Sequence, residues 1–293
     1  MINEFLQYLQ YEKNYSFHTV LSYRTDIMQF CNFAEISSVD FTPESVDYQR
    51  VQQWVLSLMN SGTSARSLSR KISALKTFWR FLLLRSYAEV DPTLKIILPK
   101  TKKVLPAFFK ENEMNAALDS SFISGDFDSI RNHLMLEILY STGIRSSELI
   151  NIKDQDVDLV EGSVIVTGKR NKQRIIPVDK SVCDDVKNYI VLRNESVEKL
   201  EPYLFTRRNG KKLYPKMLYA VVRTAMSKVS NLHKKSPHVL RHTFATGLLN
   251  GGADINVVKE LLGHSSLAAT QVYTHTSFEE LYKTYKHAHP RAK

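Results

Sequence analysis

The sequence predicts a mainly α-helical protein of two domains, with a small β-hairpin in the second. Three observations predict it. Through the first 90 positions apolar residues recur at helical spacing, with capping residues at the borders. A basic run bracketed by prolines, Leu98-Pro-Lys-Thr-Lys-Lys-Val-Leu-Pro106, has no helical period and divides the chain. One β-branched stretch, Ser163 to Val178, breaks the helical rule. A length of 293 residues accommodates two domains of about 100–200 residues each.

The first domain, residues 1–98, reads as four helices. A short one covers Asn3 to Glu12. Ser16 caps a longer one, with Val20, Leu21, Ile27, Met28 and Phe30 on its apolar face. The third runs from Asp47 to Met59 and stops at Asn60-Ser-Gly62. Ser64 opens the fourth, through Leu68, Ile72, Leu75, Phe78, Trp79 and Leu82. Arg66, Arg70, Lys71, Lys76 and Arg80 decorate it, either as a solvated face or as a helix laid against phosphates. Residues 99–106 read as an interdomain linker, and Lys102 and Lys103 could track a nucleic-acid backbone.

In the second domain, residues 107–293, helices are predicted near Lys110–Asp119 and Ile130–Ser141, the latter ended by Gly143. Two strands joined by a polar turn fill 163–178, with Lys169, Arg170 and Lys172 at the turn. Helices follow near Ser181–Leu192 and Leu213–Val229. Ser236 at N-cap and Pro237 at N1 start the next, which ends at Asn250-Gly-Gly252. Asp254 caps Ile255–Leu262, and Gly263 stops it. Ser265 or Ser266 opens a short helix carrying Tyr273. Ser277-Phe-Glu-Glu280 reads as a capping box for a final helix through His287, where Leu281, Tyr282 and Tyr285 form an apolar stripe.

Composition narrows the classes. The formal net charge is +10, and most of it falls after residue 100. That points to a polyanionic partner, nucleic acid first and an anionic membrane surface second. Cys31 and Cys183 form no CxxC pair and read as reduced, buried thiols of a cytoplasmic protein. No secretory leader and no membrane-spanning run is recognised.

The chemistry-bearing groups concentrate near the end. His238 falls in the first turn of a helix, where free N–H groups favour a phosphate. Arg241 and His242 follow at three and four residues, so one face can present all three. His242 alone reads as a packed, hydrogen-bonded core histidine. His264 emerges just past a helix stop. Tyr273 is one tyrosine among 14, singled out by its company. Upstream, Arg145 sits at a helix junction in Thr-Gly-Ile-Arg145-Ser-Ser-Glu-Leu and can bind a phosphate bidentately. Lys169, at the hairpin tip, is a solubilising turn residue or a proton donor delivered into a groove. No metal-ligand cluster or nucleotide-binding loop accompanies them, so no metal and no cofactor is expected and the protein's own groups carry the chemistry.

In order and spacing, Thr-Gly-Ile-Arg145, Gly-Lys169, His238-x-x-Arg241-His242, Leu-Leu-Gly-His264 and Tyr273 resemble the tyrosine recombinase (phage-integrase-like) family. The ending His289-Pro-Arg-Ala and the N-terminal Thr19-x-x-x-Tyr23-x-x-Asp26 resemble its Xer subgroup and its core-binding domain. The resemblance implies a two-domain, C-shaped DNA clamp: an N-terminal helical, SAM-like core-binding domain and a catalytic domain. It implies that Arg145 and Arg241 hold the scissile phosphate and that Tyr273 attacks it to leave a 3′-phosphotyrosyl link. His238 would serve as base, Lys169 as acid and His264 as a donor to a non-bridging oxygen, with His242 in support. It also implies duplex DNA with an inverted-repeat core site and strand exchange through a Holliday junction. The assembly would be a homo- or hetero-tetramer on two sites, with a second recombinase and a DNA translocase as candidate partners, in the cytoplasm on the nucleoid. In the family the tail helix packs into a neighbouring protomer; from this sequence, packing on its own domain is equally open.

Three rivals stay open at this level. A type IB topoisomerase shares the phosphate chemistry. An integrase of a phage or mobile element shares the motifs, although the chain opens directly on core-binding helices, which favours resolution of chromosome dimers. A non-enzymatic basic DNA-binding protein needs only the charge.

Overall fold

The computed structural model describes residues 1–39, 41–98, 107–121, 125–168, 171–199, 201–263 and 275–290, with side chains for all of these except 121 and 275–280. The chain forms two compact units, Met1–Val104 and Leu105–Lys293. Lys102, Lys103, Lys169, Arg170, His264 and Tyr273, together with the expected short helix around Tyr273, lie outside the described residues.

The first unit is helical. Helix α1, Ile2–Gln7, passes into one π-helical turn, Tyr8–Glu12; α2 is Phe17–Phe33, α3 Tyr48–Asn60 and α4 Ala65–Leu84. The expected caps are in place. Ser16 accepts from the Thr19 N–H, Asp47 from Arg50 and Ser64 from Ser67, each satisfying a donor that the first helical turn leaves unpaired. The apolar faces close around aromatic rings: Phe30 meets Trp54 edge-on at 5.2 Å between centroids, and Phe78 meets Trp79 at 5.6 Å. Cys31 lies in this core unpaired, and burial pushes its thiol up to about 11.

The second unit is built around α6, Phe127–Thr142, which is buried along most of its length. Its sequence lacks a clean amphipathic stripe for that reason, and its start lies upstream of the expected Ile130, where Asp126 accepts from the Ser129 N–H at 3.0 Å. Around it lie α5 (Glu111–Ser121), α7 (Ser146–Asn151), α8 (Lys180–Ser196), α9 (Pro215–Ser227), α10 (Pro237–Asn250), α11 (Ile255–Leu262) and α12 (His275–Ala288).

The expected hairpin is β2, Ser163–Thr167, against β3, Gln173–Pro177, in a register that pairs Ser163 with Pro177 and Val166 with Arg174. A third strand, β1, Val157–Asp158, adds to the edge of β2. Two residues carry no periodicity, so the sequence could not announce it.

Two terminal readings are corrected. Ser236 takes the N-cap position, but its hydroxyl caps nothing; it is buried without a hydrogen-bond partner among the described residues. Helix α12 begins at His275, so Ser277 lies within the helix and does not cap it. Leu281, Tyr285 and Ala288 of α12 pack with Phe244, Leu248, Val258, Leu261 and Leu262 of α10 and α11. The tail helix therefore packs on its own domain. His289 stacks on Tyr285 at 5.2 Å and lies 5.6 Å from Phe244, which pins the end of that helix.

Candidate active site

The site grows from the end of α6. Gly143 leaves the helix at φ +61°, a left-handed turn that suits glycine. A Cβ there would also lie 2.3 Å from the Phe244 ring, so both backbone and space require its absence. The turn delivers Arg145 to the start of α7. The Arg145 backbone N–H donates to one oxygen of Glu148 at 2.8 Å, and its guanidinium donates to the other at 2.7 Å.

Glu148 is buried and shared. Arg174, on β3, places its fork on both carboxylate oxygens at 3.0 and 2.9 Å, a bidentate geometry that only a guanidinium supplies. Burial alone would raise the Glu148 carboxyl. The Arg174 fork and charge overcome it, followed by the Arg145 N–H and guanidinium, and together they hold the carboxyl at about 2.

Arg241 enters from α10 and is 8% exposed. Its two terminal nitrogens donate to the carbonyls of Gly143, at 2.8 Å, and of Leu262. Burial lowers its pKa most, the nearby Arg145 adds to that, Glu148 opposes it, and the result is about 10.

The three guanidiniums share one anchor. Arg174 donates through Nε to the Leu261 carbonyl at 2.8 Å, Arg241 to Leu262, and Arg145 to Gly263 at 3.4 Å. These are consecutive carbonyls at the C-terminus of α11. A helix leaves such groups without internal partners, at the negative end of its dipole, and so attracts cations.

His238 stands exposed in the first turn of α10. Its pKa is lowered, chiefly by partial burial and then by the charges of Lys234, Arg241, His242 and Arg145. His242 is exposed, which corrects the expectation of a packed core histidine: the core face of α10 is taken by Val239, Leu240, Thr243 and Phe244.

The structure thus gathers Arg145, His238, Arg241 and His242. It adds Glu148 and Arg174, to which sequence reading assigned no role. Burial is what marks them, and the sequence-level trace was thin: Glu148 falls at the third position of α7, where a carboxylate can reach back to the helix start, and Arg174 interrupts an otherwise apolar strand face. Lys172 is exposed beside the turn, and its carbonyl accepts from the Gly168 N–H at 2.8 Å.

On α4, Arg66, Arg70 and Arg80 are exposed, whereas Lys71 and Lys76 turn inward. Lys71 donates to the buried Asp26 at 3.0 Å and Lys76 to the Ile96 carbonyl at 2.7 Å; Arg70 also pairs with Asp26. His133, Glu137 and Asp185 bring ligand atoms within 4.8 Å of one another but include no residue of the Arg145 site. No helix among the described residues is long and apolar enough to cross a membrane.

A mainly helical unit with a small antiparallel sheet, whose arginines converge on one helix end, is an arrangement suited to holding a phosphodiester. The phage integrase family matches residues 107–280, and the phage integrase N-terminal SAM-like domain matches residues 2–86. The chain belongs to this family, the site-specific tyrosine recombinases, which cut and rejoin DNA through a tyrosine without ATP or metal. The tyrosine recombinase XerC of Bacillus pumilus is 38% identical over 297 residues, covering 100% of this chain and 97% of that protein. The tyrosine recombinase XerD of Staphylococcus saprophyticus is 39% identical over 297 residues, covering 100% and 99%. The crystal structure of the XerH site-specific recombinase bound to difH substrate, a pre-cleavage complex, has a similar fold, with TM-score 0.70 and 23% identity over 96% of this chain and 83% of that one.

Proposed function

We propose that this recombinase resolves chromosome dimers, acting on duplex DNA at an inverted-repeat site through a Holliday junction. The observation that carries the site chemistry is the convergence of Arg145, Arg174 and Arg241 on the α11 C-terminus with Glu148 between them. Three guanidiniums against one carboxylate leave a surplus of positive charge, suited to a pentacoordinate phosphorane. The full-length similarity to XerC and XerD proteins supports the chromosomal role.

In this reading Arg145 and Arg241 hold the two non-bridging oxygens. The Tyr273 oxygen bonds to phosphorus, and the phosphorus–5′-oxygen bond breaks. His238 takes the phenol proton, and its lowered pKa keeps the imidazole neutral and able to do so. Lys169 protonates the departing 5′-oxygen, His264 donates to a non-bridging oxygen, and His242 supports. A phosphotyrosyl ester conserves the phosphodiester energy for rejoining.

Residues 1–98 serve as the core-binding domain, 99–106 as the linker and 107–293 as the catalytic domain. Arg66, Arg70, Arg80, Lys102, Lys103, Arg170 and Lys172 contact the DNA backbone. Four protomers assemble on two sites, with room for a second recombinase and for activation by a DNA translocase, in the cytoplasm on the nucleoid.

A nicked suicide duplex carrying the terminus-proximal inverted repeat of the host chromosome tests this. The wild type is expected to form a covalent adduct and Tyr273→Phe to bind without one. Adducts in that variant would overturn the nucleophile. Recombination confined to sites flanking a mobile element would overturn the chromosomal role.

A further inference from the structure

Arg174 adds charge to the site but is assigned no bond to the phosphate, and its contacts reach segments that lead into that chemistry. Its fork holds Glu148, which in turn holds both the backbone and the guanidinium of Arg145. Its Nε holds the Leu261 carbonyl, one residue before the carbonyl that holds Arg241. A Cβ on Gly263, the residue before His264, would lie 3.0 Å from its Nη1. A Cβ on Gly168, the residue before Lys169, would lie 3.2 Å from the Glu148 oxygen and 3.7 Å from the same Nη1. The Arg174 side chain is 6% exposed, too enclosed to serve as a general DNA contact.

We propose that Arg174 is a positioning residue: it sets Arg145, Arg241 and the backbone at Gly168 and Gly263 in one register around the scissile phosphate. This rests on the assignment of Arg145 and Arg241 as the phosphate clamp. The physical argument is one of placement. The Arg174 fork fixes Glu148 on α7 and its Nε fixes the end of α11, and shifting a reacting group by about 1 Å costs about 100-fold in rate.

The test uses the full chain with two substitutions, Arg174→Met and Arg174→Lys, on matched nicked duplexes. One duplex carries the ordinary phosphate and the other a neutral methylphosphonate at the scissile position. Thermal unfolding, site affinity and single-turnover adduct formation are all read. For Arg174→Met the expected result is affinity within about threefold of wild type and cleavage of the phosphate slower by about 100-fold. The loss on methylphosphonate is expected to be clearly smaller, because less charge then needs a well-placed guanidinium. Arg174→Lys keeps the charge but not the fork, so about 10-fold loss with the same substrate dependence is expected.

Cleavage near the wild-type rate in either variant would overturn the proposal, as would equal losses on both substrates or a loss of affinity matching the loss of rate. If Arg174→Met does not fold, Arg174→Lys decides on the same criteria. Arg241→Ala runs alongside: wild-type cleavage in that variant would sink the clamp itself, whatever Arg174 does.

Discussion

The two units treat charge in opposite ways. In the first, the core is rich in aromatic rings, Asp26 is the one charged residue buried among those described, and the arginines of α4 are exposed, Arg70 while paired with Asp26. In the second, Arg131, Arg174, Arg193 and Arg241 are buried, each bonded to carbonyls or carboxylates. The difference separates two uses of the same side chain. Exposed arginines add long-range attraction to a polyanion, screened by salt. Buried ones cost desolvation, and only well-made partners repay it. In return they are held in one geometry, which is what stabilising a transition state requires.

Four experiments would break or sharpen this contrast. Removing a buried guanidinium should have the largest effect. Arg241→Ala is expected to slow adduct formation by about 100- to 1,000-fold while leaving site affinity within about threefold. Comparable losses in both would mean that Arg241 acts as an ordinary DNA contact.

Next is the buried pair itself. Glu148→Gln leaves Arg174 underpaired and is expected to lower stability by about 3 kcal/mol at neutral pH. The sign follows from a carboxyl held at about 2 against the ordinary 4.5. The stabilisation is full above pH 4.5 and is lost as pH falls toward 2, so the gap between wild type and variant should close over that window. Urea midpoints across the range would check it; a gap independent of pH would contradict the pairing.

A smaller effect concerns His238. With its pKa lowered from 6.5, the base stays neutral into mildly acid solution, and the acid limb of the cleavage–pH profile is expected below 6.5. Lys234→Ala removes one of the lowering charges and should shift that limb upward. A profile that ignores Lys234 would argue against His238 as the titrating base.

The smallest effects belong to the exposed face of α4. Arg66→Ala and Arg80→Ala should each reduce the salt dependence of DNA affinity by about one unit of slope and leave the cleavage step alone. Lys71→Ala should instead act on stability, because its ammonium is spent on Asp26. A uniform salt effect from all three would erase the distinction between solvated and internal charge on that helix.

The helices were legible because their signals are local. Ser16, Asp47, Ser64 and Asp254 cap the helices they seem to cap, and Gly143 and Gly263 end theirs in left-handed turns. Reading failed where an element is short, as in β1, or buried on all sides, as at the start of α6. At the site, motif spacing picked out Arg145, His238 and Arg241. It misjudged His242, because one helix face cannot hold both the core and every polar group of the motif. It gave Lys71 and Lys76 the same standing as Arg66, because a charged stripe looks alike whether its ends meet solvent or a buried Asp26.

By itself, the sequence determined the helical framework, the hairpin, the basic balance and the motif residues. All of these rest on backbone preferences and side-chain types that act within a few positions. Tertiary structure alone decided that Glu148 and Arg174 join the site and that three arginines meet at the α11 C-terminus. It also decided that the tail helix packs on its own domain. Those outcomes depend on burial and on partners distant in sequence: the cost of an unpaired charge selects the arginine cluster, and burial of apolar surface seats the tail helix.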